Sequence, residues 1–251
     1  MPPSTDPATI TTGTQPGLLN LRDLGGTPTR DGDVIAPGRL LRAAEPVGLS
    51  TAELDQLRTL GVRSRLDLRG DQSARACAEL DAAGLEVHRH PFRDLLAAED
   101  LPPLETAEQL GRHYLTTVRG SVGSLLGALQ AIAGEATLGV LVHCAWGKDR
   151  AGIVVASTLE LLGVDRDLVV ADYARTGPAV GALLDRVLAR LPAEVAARAD
   201  RDRLALQAPA ATMATFLAEV DTQHGGIAGL LAEAGADAAD LRDQLRGRLL
   251  R

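Results

Sequence analysis

The feature that most constrains this chain is the stretch Val140–Gly152, where an apolar run ends at Cys144 and a helical pattern begins within a few residues. A short apolar run is typical of a buried strand. Apolar residues recur at helical spacing from Ile153 onward. The stretch therefore predicts a strand, a loop and a helix, with Cys144 in the loop.

The chemistry of this loop follows from the groups that it brings together. Backbone N–H groups in the first turn of a helix lack an intrahelical partner, and with the helix dipole they favour an anion. The same field favours the thiolate form of Cys144. Arg150 could place its planar guanidinium across the loop and bind two oxygens of a phosphate. The loop predicts in-line phosphoryl transfer to the sulfur of Cys144, with Arg150 as the phosphate clamp.

A cysteine and an arginine six positions apart are a weak signal alone, so the context matters. The loop contains the only lysine and the only tryptophan of the chain. It resembles the HCxxGKDRTG loop of a bacterial family of cysteine-dependent, tyrosine-type phosphatases. Four further segments resemble that family's NFRDLGG, GRLFRSSE, DLR and DY motifs, and they are Asn20–Gly26, Gly38–Glu45, Asp67–Arg69 and Asp172–Tyr173.

The resemblance implies an α/β protein of the protein-tyrosine-phosphatase-like fold, in which helices flank a central, mostly parallel sheet. It implies one phosphatase domain over residues 18–251, after a loose tail at 1–17. Within this domain we expect a lid-like insertion at 95–120 and an extra helical part at 165–251.

The implied activity is hydrolysis of phosphate monoesters through a phosphocysteine intermediate, without a metal or another cofactor. The substrate would be a phosphoprotein, a phosphoinositide or a small metabolite phosphate, such as a nucleoside or sugar phosphate.

A general acid must protonate the leaving oxygen. Asp94 is the first choice, because Pro91–Asp94 resembles the family's PFxD loop, and Asp149 is the competitor. We expect His143 to support the loop by bonding its backbone and Lys148 to point toward substrate. Trp146 would form either a wall of the pocket or a cover over the core. The expected substrate-binding positions are Ala145, Trp146, Gly147, Lys148, Ala151 and Gly152.

One position departs from the family pattern, since Ala151 stands where threonine or serine is usual. The missing hydroxyl would otherwise hydrogen-bond the thiolate and help the phosphocysteine to break down. An alternative function is therefore a phosphate-binding module with little turnover. Sulfurtransferases commonly have another loop length. Arsenate reductases need a resolving cysteine, and the sequence gives little reason to assign that role to Cys77.

Several arginines outside the loop have a structural interpretation. We expect Arg22 and Arg69 to pair with the carboxylates nearest to them in the sequence, those of Asp23 and Asp67. The histidines have no mutual spacing typical of metal ligands, so no metal site is predicted.

The composition limits the classes of partner and the cellular locations that are expected. A formal net charge of −7 argues against nucleic acid as the main partner. Two cysteines are too few for a disulfide framework and favour a reducing, cytoplasmic location. No apolar run approaches the roughly 18 residues of a membrane span. The expected partner is a phosphorylated substrate, and the oligomeric state stays open.

The periodicity of apolar residues and the residues that begin or end helices and strands predict a coarse order of elements. The expected strands before the loop are Leu18–Leu24, Val34–Arg42, Val62–Leu68 and Leu85–His90. The expected helices before it are one from a capping box at Ser50 to Leu60, Asp71–Ala83, one that includes Tyr114, and Val122–Ala133. The helices expected after it are Asp165–Arg175, Ala179–Leu191, Glu194–Leu206, Ala211–Thr222, Gly226–Glu233 and Ala236–Leu249.

Overall fold

The computed structural model describes residues 17–70, 77–92, 104–134 and 139–251. Five strands in these ranges form one sheet of order β1-β2-β5-β3-β4. The pair β1–β2 is antiparallel, and every other neighbouring pair is parallel. The strands are β1 (Arg22–Asp23), β2 (Leu40–Ala43), β3 (Ser64–Asp67), β4 (Glu86–Arg89) and β5 (Val140–His143).

Helices cover the sheet and extend to the C-terminus. Before β5 they are α1 (Thr51–Thr59), α2 (Ala78–Ala82), α3 (Ala107–Arg119) and α4 (Val122–Ala133). After it they are α5 (Asp149–Leu161), α6 (Arg166–Ala174), α7 (Val180–Leu188), α8 (Ala193–Ala196), α9 (Ala210–His224), α10 (Ile227–Glu233) and α11 (Ala238–Leu249). Two 3-10 turns lie at Gly177–Ala179 and Leu204–Leu206.

The central strand β5 shows why the sheet needs a layer of helices on each face. Val140 and Val142 belong to the larger apolar core. Leu141 belongs to a smaller core with Leu57 of α1 and Leu80 of α2. Successive side chains of a strand point to opposite faces, and a parallel sheet buries both of them. The predicted fold class is confirmed.

The start of α1 confirms the predicted capping box. The backbone N–H of Glu53 donates to the hydroxyl of Ser50 at 3.3 Å, and the backbone N–H of Ser50 donates to the Glu53 carboxylate at 2.8 Å. Two N–H groups that would otherwise lack a partner are satisfied in this way.

The predicted helix Glu194–Leu206 is wrong, since only α8 and the 3-10 turn at its end are helical. Every side chain at positions 196–203 is alanine or charged, so no apolar stripe could bury a helix there. The backbone N–H of Asp202 donates to the Asp200 carboxylate at 3.1 Å, a local turn that competes with helix formation.

Another predicted element is shorter than expected. The N-terminal strand contains only β1, and Asn20 before it has a φ of +58°, outside the extended region. The predicted helix Asp71–Ala83 is observed as α2, and positions 71–76 lie outside the described residues. Positions 1–16 of the expected tail also lie outside them.

The second half of the expected insertion at 95–120 is a packed helix. Leu110, Tyr114 and Val118 of α3 are fully buried in the larger core. A side-chain carbon at Gly111 would lie 2.5 Å from the carbonyl oxygen of Thr212 in α9, so the two helices approach closely. Positions 93–103, including Asp94, lie outside the described residues.

None of the described helices combines the length and the apolar character needed to cross a bilayer.

Candidate active site

The loop that carries Cys144 lies at the carboxyl edge of the sheet. The last residue of β5, His143, pairs with Ala43 of β2 and Asp67 of β3. Cys144 therefore leaves the sheet between two neighbouring strand ends, and α5 begins five residues later. Ligands of parallel α/β sheets bind at this edge. Cys144 is 2% exposed and borders the larger core, and Arg150 in the first turn of α5 is 8% exposed.

Two glycines allow the loop to approach its surroundings. Gly147 has a φ of +65°, and a side-chain carbon there would lie 2.3 Å from the carbonyl oxygen of Ala43. At Gly152 such a carbon would lie 3.1 Å from the ring of Tyr173 and 3.3 Å from the guanidinium of Arg42. Gly147 meets both a conformational and a steric requirement for glycine, whereas Gly152 meets a milder steric one.

The carbonyl groups of four consecutive loop residues are bound from outside the loop. Those of Gly147 and Lys148 accept hydrogen bonds from Nη2 of Arg42, at 2.5 and 3.2 Å. The carbonyl of Trp146 accepts one from the Asn20 side-chain amide at 3.0 Å. The carbonyl of Ala145 accepts one from the backbone N–H of Glu45 at 3.2 Å.

These contacts orient the N–H groups as well. In a planar trans peptide, the carbonyl and the following N–H point in opposite directions. The N–H groups of residues 146–149 consequently point away from the groups that bind the four carbonyls. Such a run of N–H groups at a helix start can bind an oxyanion.

A buried ion-pair network fixes Arg42. Asp172 accepts from Nη1 of Arg42 at 2.5 Å and from Nε of Arg22 at 2.7 Å. Burial alone would raise the pKa of Asp172, but the charges of Arg22 and Arg42 outweigh it and hold the pKa at about 2. Asn20 completes the network, since its side-chain oxygen accepts from Nη1 of Arg22 at 2.6 Å.

The expected pairing of Arg22 with Asp23 is wrong. Adjacent strand residues point to opposite faces of a sheet, so Arg22 reaches Asp172 instead. The Asp23 carboxylate accepts from the backbone N–H groups of Gly25 and Gly38, at 2.8 and 2.7 Å.

The expected pairing of Arg69 with Asp67 is confirmed as a bidentate salt bridge. Nε of Arg69 lies 2.9 Å from Oδ1 of Asp67, and Nη2 lies 2.7 Å from Oδ2. Nη1 of Arg69 donates to Glu45. Burial raises the pKa of Asp67, but its hydrogen bonds with Arg69 and the charge of that guanidinium more than offset this, so the pKa lies at about 2.

The expectation that the His143 ring bonds the loop backbone is wrong within the described part of the chain. Both ring nitrogens are buried there without a hydrogen-bond partner, and Nδ1 lies 4.0 Å from the Asp67 carboxylate. Strand alternation places the ring on the face opposite to Cys144. Burial lowers the pKa of His143 to about 3, so the ring is neutral at neutral pH.

Lys148 differs most from expectation, because its side chain is buried and engaged by protein groups. Its ammonium donates to the carbonyls of Ala205 at 2.7 Å and Gln207 at 3.0 Å. It also lies 3.0 Å from the Asp149 carboxylate. The side chain is 1% exposed, so it ties the loop to the segment that precedes α9.

Asp149 also accepts a hydrogen bond from the hydroxyl of Tyr114, which lies 2.7 Å from the hydroxyl of Tyr173. Burial and the negative charge of Asp149 raise the pKa of Tyr114 well above its usual range. Neither tyrosine was predicted to contact Asp149. They are the only two tyrosines in the chain. A buried tyrosine hydroxyl usually has a hydrogen-bond partner, and this was the one property that could have indicated their contacts.

Trp146 is half-buried and packs against the small cluster of Leu19, Ala44 and Leu183. This contact favours the cover over the core among the two expected roles. Ala151 is fully buried in the larger core.

The segment that leads to Asp94 starts at the same edge of the sheet as Cys144. The backbone N–H of Phe92 donates to the carbonyl of Leu68 at 3.3 Å, and Leu68 follows β3. Phe92 is the last described residue before Asp94. Within the described ranges, no three His, Cys, Asp or Glu side chains form a group that could hold a metal ion.

The structure places Cys144 in a loop between a central parallel strand and the start of a helix, the arrangement expected of a cysteine-dependent phosphatase. The profile of the tyrosine phosphatase family matches residues 14–251. The chain belongs to this family, and it is a cysteine-dependent phosphatase.

Two relatives found by sequence agree with this assignment, and one solved structure is similar over part of the chain. The chain is 32% identical over 274 residues to the triple specificity protein phosphatase PtpB of Mycobacterium tuberculosis, an alignment that covers 94% of this chain and 98% of that protein. It is 30% identical over 152 residues to a tyrosine-protein phosphatase of Nostoc commune, covering 59% of this chain and 51% of that protein. The core catalytic domain of the PP-IP phosphatase SIW14 from S. cerevisiae matches with a TM-score of 0.37 and 18% identity, covering 59% and 77% of the two chains.

Proposed function

We propose that this phosphatase hydrolyses phosphate monoesters in two steps through a phosphocysteine at Cys144. The observation that carries the proposal is the set of four loop carbonyls bound from outside, at residues 145–148. It leaves the N–H groups of residues 146–149 to bind the phosphoryl oxygens. Arg150, in the first turn of α5, is the proposed clamp on two of these oxygens.

In the first step, the thiolate of Cys144 attacks phosphorus, an S–P bond forms, and the P–O bond to the leaving group breaks. The leaving oxygen takes a proton from a carboxylic acid. In the second step, water attacks the phosphocysteine, its proton passes to the carboxylate, and the thiolate and inorganic phosphate are regenerated.

Asp94 is the proposed general acid and Asp149 the competitor. The surroundings of Asp149 support this order, because one of its carboxylate oxygens accepts from the Tyr114 hydroxyl and lies 3.0 Å from the Lys148 ammonium. Both contacts engage Asp149 with other supports of the loop, which favours a role in orienting the loop.

The proposed substrates are small phosphomonoesters, such as sugar or nucleoside phosphates, with phosphoproteins and phosphoinositides as the other candidates. The formal net charge of −7 supports a small molecule over a polyanionic surface. The relative from M. tuberculosis is named a triple specificity protein phosphatase, which keeps phosphoproteins in the panel.

The first test is hydrolysis of p-nitrophenyl phosphate by wild type and by Cys144→Ser. The expected result is vanadate-sensitive turnover that the substitution lowers by at least about 10³-fold. Cys77→Ser is the matched control and should keep its activity, because Cys77 packs in the smaller core, on the other face of the sheet. Turnover that survives in Cys144→Ser would contradict the proposal.

A second candidate function is phosphate binding with little turnover, and the buried Ala151 favours it. This function predicts that wild type accumulates one equivalent of phosphocysteine, detectable by mass spectrometry after acid quenching, without steady-state release of phosphate. Under the first proposal, phosphate release continues, and Ala151→Ser raises kcat roughly three- to tenfold by restoring a hydrogen bond to the leaving thiolate.

A further inference from the structure

A second cluster of arginines lies beside the phosphate loop, on α7 and just after it. α7 packs next to the loop, because Leu183 belongs to the same small cluster as Trp146. Arg186 lies three positions after Leu183 and Arg190 seven. Residues three apart share one face of a helix, so Arg186 lies on the face of α7 that also carries Leu183. Arg190 follows in the turn after the helix, where its backbone N–H donates to the carbonyl of Val187 at 3.0 Å.

The two arginines converge on Glu45, which is already engaged. One oxygen of Glu45 accepts from Nη1 of the buried Arg69. The other lies 3.9 Å from Nη1 of Arg190, which is too long for a hydrogen bond. Glu45 is adjacent to the loop, since its backbone N–H donates to the carbonyl of Ala145, the residue after Cys144.

Arg186 has unused donor capacity at this place. Its Nη1 is buried and has no hydrogen-bond partner in the described part of the chain. Burial lowers the pKa of Arg186, the charge of Glu45 raises it, and the charge of Arg190 lowers it again. Glu45 is therefore the carboxylate that these two arginines and Arg69 share. A buried guanidinium N–H without an acceptor is costly, and an added anion would remove that cost.

We propose that Arg186 and Arg190 form a subsite for a second anionic group of a small phosphomonoester whose reacting phosphate binds in the Cys144 loop. The inference rests on the proposed function and deepens it by naming the substrate class: a small molecule with a phosphate at one end and a second phosphate or a carboxylate within reach. A guanidinium pair suits either group, because its planar forks match two oxygens at a time. The buried position of the free donor favours a small ligand over a protein chain.

The test compares substrates with and without a second anionic group. Fructose 6-phosphate and fructose 1,6-bisphosphate form the first pair. The second pair is a phosphotyrosyl peptide with two neighbouring aspartates and the same peptide with asparagines. Wild type should prefer the bisphosphate by roughly tenfold or more in kcat/KM, the effect of one charge-assisted hydrogen bond.

Arg186→Gln should abolish the preference for the bisphosphate and Arg190→Gln should reduce it. Both should leave turnover of p-nitrophenyl phosphate, which has no second anion, within about twofold. Arg58→Gln is the control, because Arg58 forms an exposed pair with Asp55 on α1. Thermal unfolding of each variant separates loss of the subsite from loss of the fold.

The outcomes are distinct. A preference within the sugar pair that Arg186→Gln removes supports the subsite. A preference within the peptide pair alone overturns the small-molecule form, and no preference in either pair overturns the subsite. If wild type does not hydrolyse p-nitrophenyl phosphate, the proposed function fails. Calorimetric binding of the two sugar phosphates to wild type and Arg186→Gln then decides the subsite by the same criterion.

Discussion

The phosphate loop is held from two sides by groups of different character. The arginine anchor consists of Asn20, Arg22, Arg42 and Asp172. The tyrosine anchor consists of Tyr114, Lys148, Asp149 and Tyr173. The arginine anchor binds backbone carbonyls of the loop, whereas the tyrosine anchor acts through two side chains of the loop itself, those of Lys148 and Asp149. The first therefore sets the loop's shape whatever its side chains are, and the second connects it to α3 and to residues 205–207.

The largest expected effect comes from breaking the arginine anchor with Asp172→Asn. The substitution leaves Arg22 and Arg42 buried with an uncompensated charge, which costs about 3–5 kcal/mol of unfolding free energy. Urea unfolding at neutral pH measures this loss. Hydrolysis of p-nitrophenyl phosphate should fall with it, because Arg42, the donor to two loop carbonyls, loses the carboxylate that fixes it.

The matched control for this prediction is Asp185→Asn. Asp185 pairs with Arg201 at 2.6 Å, but both side chains are more than half exposed. Its removal should change the free energy of unfolding by no more than about 0.5 kcal/mol. Equal losses in the two variants would show that the buried network does not carry the loop.

An intermediate effect is expected from the pH dependence of stability. Asp172 keeps its charge down to about pH 2, so the ion pairs of the arginine anchor persist at the pH values compared here. The pKa of His143 is about 3 in the folded chain and about 6.5 when unfolded. Between these values the unfolded chain binds more protons, so the free energy of unfolding decreases as the pH falls from about 6.5 toward 3. At pH 5 the contribution is about 1–2 kcal/mol.

The measurement is the difference in unfolding free energy between pH 7.5 and pH 5.0 for wild type and His143→Gln. The variant should lose the part of the difference that His143 contributes. His113→Gln, in a half-buried position on α3, should keep the wild-type difference. A variant at position 143 with the full wild-type pH dependence would contradict the assignment.

The smallest effect is expected from Tyr114→Phe in the tyrosine anchor. The change removes the hydrogen bond to Asp149 and the contact with the Tyr173 hydroxyl, and it costs about 1–1.5 kcal/mol of stability. Because Asp94 is the proposed acid, kcat/KM for p-nitrophenyl phosphate should fall less than about tenfold. Tyr173→Phe, which keeps the contact between Tyr114 and Asp149, is the control. A fall of about 100-fold in Tyr114→Phe alone would instead favour Asp149 as the acid.

The sequence was sufficient for the strand, turn and helix around Cys144 because their signals are local. The strand β5, the turn at Gly147 and the start of α5 depend on residues that follow one another, and periodicity and glycine placement report them directly. The capping box at Ser50 is local in the same sense.

The supports of the loop could not be predicted in this way. Arg22 was assigned to its neighbour Asp23, but its partner Asp172 lies 150 positions away and is reached only once the sheet and α6 have packed. Lys148 was expected to face substrate, since nothing within the loop indicates that the carbonyls of Ala205 and Gln207 come within 3.0 Å of its ammonium. Pairings of this kind depend on tertiary packing and leave no mark on local composition.

Position 148 offers a consequence for chemical labelling. The chain contains a single ε-amine, and it is enclosed and bonded to two peptide oxygens. An acylating reagent can modify a lysine of this protein only after residues 205–207 have separated from the loop that carries Lys148. The rate at which that one amine is modified therefore measures how often residues 205–207 separate from Lys148, and the measurement requires no engineered probe.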